Sequence, residues 1–182
     1  MKKNIINLNT VQETIWNNTN QALKLMIENC YLSQVGIKGH PNINHNNYAK
    51  EFCTVRFASS RRSGHSTAIA KIALEYFNKA LILSPTLDMS RHLYQYFMSE
   101  LERQNITAQK ITQSKIIITE DHENMYHFGS LEQNINAFRG ISLEAIIVDC
   151  AFMMSNAKEE KLYKDFIPAM SCFSEGFWIF IG

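Results

Sequence analysis

Phe52-Cys-Thr-Val-Arg-Phe57 leads into Ala58-Ser-Ser-Arg-Arg-Ser-Gly64, and that into His65-Ser66-Thr67 and a helical pattern. The first piece is rich in β-formers and reads as a strand. The second is polar and closes on glycine, as a turn does. From Ser66 to Asn78, Ile69, Ile72, Ala73, Tyr76 and Phe77 recur at helical spacing. Working outward, Ala80-Leu-Ile-Leu-Ser84 is a short, wholly apolar strand of the kind buried on both faces of a sheet. Met89 to Arg103 reads as a helix with Leu93, Tyr96, Phe97 and Leu101 on one side. Further strands are expected at Lys115–Thr119, Tyr126–Phe128, Ala145–Asp149 and Phe177–Ile181, with a helix from Leu162 to Met170. Strand and helix in alternation predict an α/β fold, a mostly parallel sheet flanked by helices.

Upstream, Val11, Ile15, Leu23, Met26, Ile27 and Tyr31 give helical spacing over Asn9–Leu32, and Thr10 with Glu13 has the capping-box pattern. Gly36 to Asn47 is loop-like. It divides a helical N-terminal extension, residues 1–47, from an α/β core, residues 48–182. The closing run Phe177-Trp-Ile-Phe-Ile181 would be a pairing liability if it lay at a sheet edge.

The whole chain has 182 residues, 46% hydrophobic and 19% charged, which is enough apolar matter for one core and too little charge for a disordered tail. Eighteen Lys+Arg against seventeen Asp+Glu leave a formal charge of +1, which excludes a polybasic protein held to nucleic acid by bulk charge. No uninterrupted apolar stretch follows Lys2 and Lys3, and no run approaches the ~20 residues of a spanning helix. A soluble, cytoplasmic protein with no membrane partner is expected. Cys30, Cys53, Cys150 and Cys172 form no C-x-x-C pair and are expected as free thiols.

In open parallel sheets ligands bind beyond the carboxyl ends of the strands. Two such ends carry polar chemistry here. One is the turn Ser60-Arg61-Arg62-Ser63-Gly64-His65-Ser66-Thr67 before a helix; the other is Asp149. A tight turn entering a helix points backbone N–H groups inward, and the helix dipole adds positive potential, so the turn suits a phosphate. Gly64 permits close backbone approach, Ser66 stands where a phosphate-loop hydroxyl would bind Mg²⁺, and Asp149 would hold the same ion. The full motif G-x-x-x-x-G-K-[ST] would want glycine at Ser59 and lysine at His65.

The Ser60–Thr67 turn resembles the phosphate loop of viral large terminases, the DNA-packaging ATPases of tailed phages and herpesviruses, with Arg61 on the arginine of that loop. Ala80–Ser90 is similar to the family's second strand and following turn. Phe138-Arg139-Gly140 precedes the acidic strand by the family's short interval, and Ile146-Ile-Val-Asp149-Cys150-Ala151-Phe152 is similar to its I-D-E-A-x-F or E-D-C-A-F. The Phe177–Ile181 strand lies where the coupling-motif strand would.

The resemblance implies a P-loop NTPase core of the ASCE, terminase-like kind, using ATP and Mg²⁺. It places nucleotide contacts at Ser60, Arg61, Arg62, Ser63, Gly64, His65, Ser66 and Thr67, and catalysis at Asp149 and Arg61. Ser66 and Asp149 would hold Mg²⁺, and Arg139 would couple to nucleotide or DNA. The implied partners are double-stranded DNA, other packaging or viral proteins and further copies of the chain, in the host cytoplasm or nucleus. Two departures bear on activity: His65 replaces the lysine, and Cys150 stands where many members carry the water-orienting glutamate. Hydrolysis is therefore expected to be weak or lost. Two other readings are an interaction or regulatory protein that keeps a degenerate terminase fold, and a helicase-related nucleic-acid-binding helper.

Overall fold

The apolar runs that read as strands do so because each is buried on both faces. In the computed structural model, which describes residues 8–37, 45–58, 64–112, 114–118, 124–133, 138, 141–167 and 176–182, they form the centre of a seven-stranded sheet. The elements in chain order are α1 (Leu8–Ile37), α2 (His45–Phe52), β1 (Thr54–Phe57), α3 (His65–Tyr76), β2 (Lys79–Ser84) and α4 (Leu87–Arg103). There follow β3 (Lys110–Thr112), β4 (Lys115–Ile117), β5 (Met125–Ser130), β6 (Ala145–Val148), a 3-10 turn (Ala151–Met153), α5 (Asn156–Phe166) and β7 (Phe177–Ile181).

The strand order is β1-β7-β6-β2-β5-β4-β3. The first five strands run parallel, and β4 and β3 add antiparallel to the far side of β5. The period-two alternation of a strand divides the core in two. Ala80 and Ile82, Tyr126 and Phe128, Ala145 and Ile147, and Ile179 face α1, α3 and α4. Leu81, Leu83, Ile146, Val148, Trp178 and Phe180 face α2 and α5. Aromatic residues fill both layers. Phe97 of α4 packs against Tyr126 and Phe128 with ring centroids 4.8 and 5.3 Å away, and Tyr163 of α5 lies 4.5 Å from Trp178. Leu23 and Ile27 bring α1 into the first layer.

Several boundaries differ from the sequence reading. α1 starts at Leu8, ahead of the Thr10 cap, and continues to Ile37. Part of the expected loop is α2, whose Tyr48, Ala49 and Phe52 recur at helical steps, so Phe52 ends a helix instead of opening a strand. α5 starts at Asn156, where the Ser155 hydroxyl accepts from the Lys158 N–H at 3.4 Å. β7 is an interior strand between β1 and β6, and the edge position beside it belongs to β1.

Candidate functional site

Everything that makes the β1–α3 junction unusual starts at Gly64. It precedes α3 at φ +81°, ψ 27°, a left-handed conformation that costs glycine nothing. Glycine has no side chain to cap the helix, so no side-chain bond closes α3's first turn there. A second constraint acts on the same residue. A Cβ placed on Gly64 would lie 2.3 Å from Cδ1 of Trp16, because the α1 indole is seated directly against the glycine backbone. The indole Nε1 is buried and has no hydrogen-bond partner among the described residues.

His65 opens α3, its ring edge-on to Phe57 with centroids 6.1 Å apart. Burial pulls its pKa below the ordinary 6.5, and the nearby Asp149 carboxylate only partly opposes this. His65 is thus a neutral imidazole at neutral pH, unlike the permanent cation of a lysine.

Asp149 follows β6, its N–H donating to Leu83 O at 2.8 Å. The side chain is 5% exposed. Burial raises its pKa, while hydrogen bonds with Cys150 and the proximity of His65 pull the other way. Cys150 carries the chain out of the strand at φ +52°, a left-handed conformation uncommon for a residue with a Cβ.

Gly64, His65, Ser66 and Thr67 meet Asp149 and Cys150 in one cavity of about 550 Å³, a volume in the range of small-molecule sites. Its other walls are Trp16, the α4 face with His92 and Tyr96, and Phe152 beyond the acidic strand. The cavity lies at the carboxyl edge of the parallel strands. Along that edge Ser84 and Ser130, in register with one another on β2 and β5, are buried with hydroxyls that have no hydrogen-bond partner among the described residues. Buried hydroxyls without protein partners are where bound water or a ligand is expected.

Ser60, Arg61, Arg62, Ser63 and Arg139 lie outside the described residues. Of the residues singled out in the sequence, the structure therefore brings together Gly64, His65, Ser66, Thr67 and Asp149. Sequence reasoning missed Trp16, His92 and Tyr96. Trp16 sits beside Ile15 in the helical pattern of α1, but nothing local to it points across to a glycine so far along the chain. Among the described residues no three His, Cys, Asp or Glu side chains cluster as a metal site. No described helix is long and apolar enough to cross a membrane.

No protein-family model matches the sequence, and no curated protein does. Solved structures do match. The large terminase of bacteriophage HK97 aligns with a TM-score of 0.54 at 17% identity, over 71% of this chain and 29% of that one. The ATPase domain of the Thermus phage P74-26 large terminase aligns with a TM-score of 0.53 at 16% identity, over 82% of this chain and 63% of that one. A variant of the same domain gives 0.53 at 14% identity, over 78% of this chain and 64% of that one. The chain spans less than two-thirds of the length of each. Its fold is terminase-like: a mostly parallel, helix-flanked α/β sheet.

Proposed function

We propose that this chain is a terminase-like nucleotide-binding domain of a viral DNA-packaging system in which hydrolysis is weak or lost. The observation that carries the reading is the meeting of an uncapped helix entrance, Gly64–Thr67, with a strand-end carboxylate, Asp149, in one cavity. Together they are the two charge environments a metal–phosphate ligand needs, a positive helix terminus and an anionic oxygen.

The residues fit Mg²⁺·ATP in kind. The first-turn amides of α3 would receive phosphate oxygens, while Ser66 and Asp149 would hold the metal. Arg61 or Arg62 would supply the cation that His65 does not, flanked by Ser60 and Ser63. Bound Mg²⁺ would supply neutralisation of the phosphate charge. Cys150 has no carboxylate with which to orient water, which is why the reading stops at binding with little turnover. Arg139 would couple the site to DNA. Packaging proteins, double-stranded DNA and further copies of the chain are the partners this implies, in the host cytoplasm or nucleus.

A second reading, an interaction protein that keeps the fold without turnover, is favoured by the same two positions, neutral His65 and Cys150. Binding to partners that survives both Arg61→Ala and Asp149→Ala would support it.

Asp149→Asn tests the site and the fold together. The charged form of Asp149 is disfavoured by burial, so the amide should raise the melting temperature by roughly 2–4 °C while removing Mg²⁺-dependent nucleotide binding. Thermal melts and titration with Mg²⁺·ATP read the two effects. Unchanged nucleotide affinity in this variant would remove Asp149 from the site.

A further inference from the structure

A second cavity of about 610 Å³ lies at the other end of the sheet, by the amino ends of β6 and β7 and the carboxyl end of α3. Its floor is apolar and buried, formed by Ile27, Phe77, Leu143 and Phe177. Tyr31 and Leu32 of α1 form a wall, and they are 49% and 66% exposed. With exposed Val35 they make an apolar patch at steps of three and four residues, so the apolar surface runs out of the cavity along the helix. Contiguous exposed apolar surface of this kind marks a contact site.

The same cavity holds two carboxylates. Glu28 accepts from the Tyr76 hydroxyl at 3.1 Å, and Glu144 accepts from the Asn78 backbone N–H at 2.7 Å. Both donors are neutral, so neither hydrogen bond neutralises the charge of its carboxylate. The neighbouring cation, Lys24, is committed to Glu75 at 2.5 Å. Among the described residues neither Glu28 nor Glu144 has a cationic partner. The local field shows in the Tyr76 phenol, pushed up to about 12 by burial and then by Glu28 and Glu75.

We propose that this cavity and the adjoining α1 patch form a docking site for a segment of another protein that carries a bulky apolar side chain next to Lys or Arg. The apolar floor receives the side chain, and the Glu28 and Glu144 carboxylates receive the cation. The patch continues from the Tyr31 and Leu32 wall to Val35, which lies outside the cavity and beyond what a small ligand filling it would cover. Two carboxylates without a cationic partner among the described residues also repel an anionic lipid surface. This inference stands independently of nucleotide binding at the opposite edge.

The test selects a phage-displayed random peptide library on the whole chain and measures the most enriched synthetic peptide by fluorescence anisotropy. Enriched peptides should pair Lys or Arg with a bulky apolar residue, and binding should weaken with added salt. Glu28→Gln with Glu144→Gln should cost about tenfold in affinity. Leu32→Asp, at a solvent-facing position and with melting temperature unchanged, should abolish binding. No enrichment, peptides without a basic preference, or affinities indifferent to these substitutions would overturn the proposal. A self-dimer that Leu32→Asp dissolves would overturn it too, since a second copy would then be the occupant.

Discussion

Gly64 answers to two demands at once, a left-handed backbone and an indole within van der Waals reach. These can be separated experimentally. Gly64→Ala should destabilise the fold by about 2–3 kcal/mol, part from the left-handed conformation and part from displacing Trp16. With Trp16 already replaced by Ala, the second part disappears and the cost should fall to about 1 kcal/mol. Chemical denaturation of the four proteins of that cycle measures the coupling. Equal costs in both backgrounds would mean that the indole yields freely. The residues that made the site legible in the sequence were those whose chemistry is local: a glycine before a helix, a hydroxyl two residues on, a carboxylate ending an apolar run. Trp16 was not legible, because its role depends on where α1 crosses α3. That His65 is mostly neutral at pH 7 was legible from the residue type alone, whereas the further lowering of its pKa by burial was not.

At the scale of elements, β5 carries a histidine into the interior. His127 is buried, with its ring 6.4 Å from Phe138 and Nε2 without a hydrogen-bond partner among the described residues. Burial first, and then the Lys115 charge opposite it on β4, push its pKa down from 6.5 to about 4. Above pH 6.5 folded and unfolded chains are both neutral at this position, and its contribution to stability is fully present. Between pH 6.5 and 4 the unfolded chain takes up a proton that the folded chain refuses, so stability falls with acid. His127→Leu should flatten the pH dependence of the urea midpoint in that window by the equivalent of about 2–3 kcal/mol. An unchanged slope would mean that His127 titrates normally. The elements themselves were legible wherever one period dominated. Ala80–Leu83 of β2, and all of β6 and β7, are uninterrupted apolar runs, and α4 shows a clear apolar side. The start of α2, His45–Asn47, was read as loop because a histidine and two asparagines carry no helical apolar signal, and its last residue, Phe52, was read as opening a strand. The three-residue β3 was missed because its sequence, Lys-Ile-Thr, is too short to alternate and owes its form to pairing with β4.

For the whole molecule, a +1 chain with 46% apolar residues builds two core layers around one sheet. At the carboxyl edge, polar chemistry gathers in a cavity beside α3. At the amino edge, an apolar and acidic cavity opens on α1. The α/β order of elements was legible from the succession of apolar runs, whereas the position of β7 between β1 and β6 was not. Parallel strands adjacent in space need not be adjacent in sequence, and which run lands at the edge is decided by the crossovers. The central claim is that the carboxyl-edge cavity takes a nucleotide and that His65 is what weakens it. Calorimetric titration with Mg²⁺·ATP of the parent chain beside His65→Lys, at neutral pH, tests it most directly. The account predicts weak, Mg²⁺-dependent binding by the parent and binding at least about tenfold tighter by the lysine variant, the worth of one charge-assisted contact to phosphate. Failure of both proteins to bind any nucleotide would contradict it.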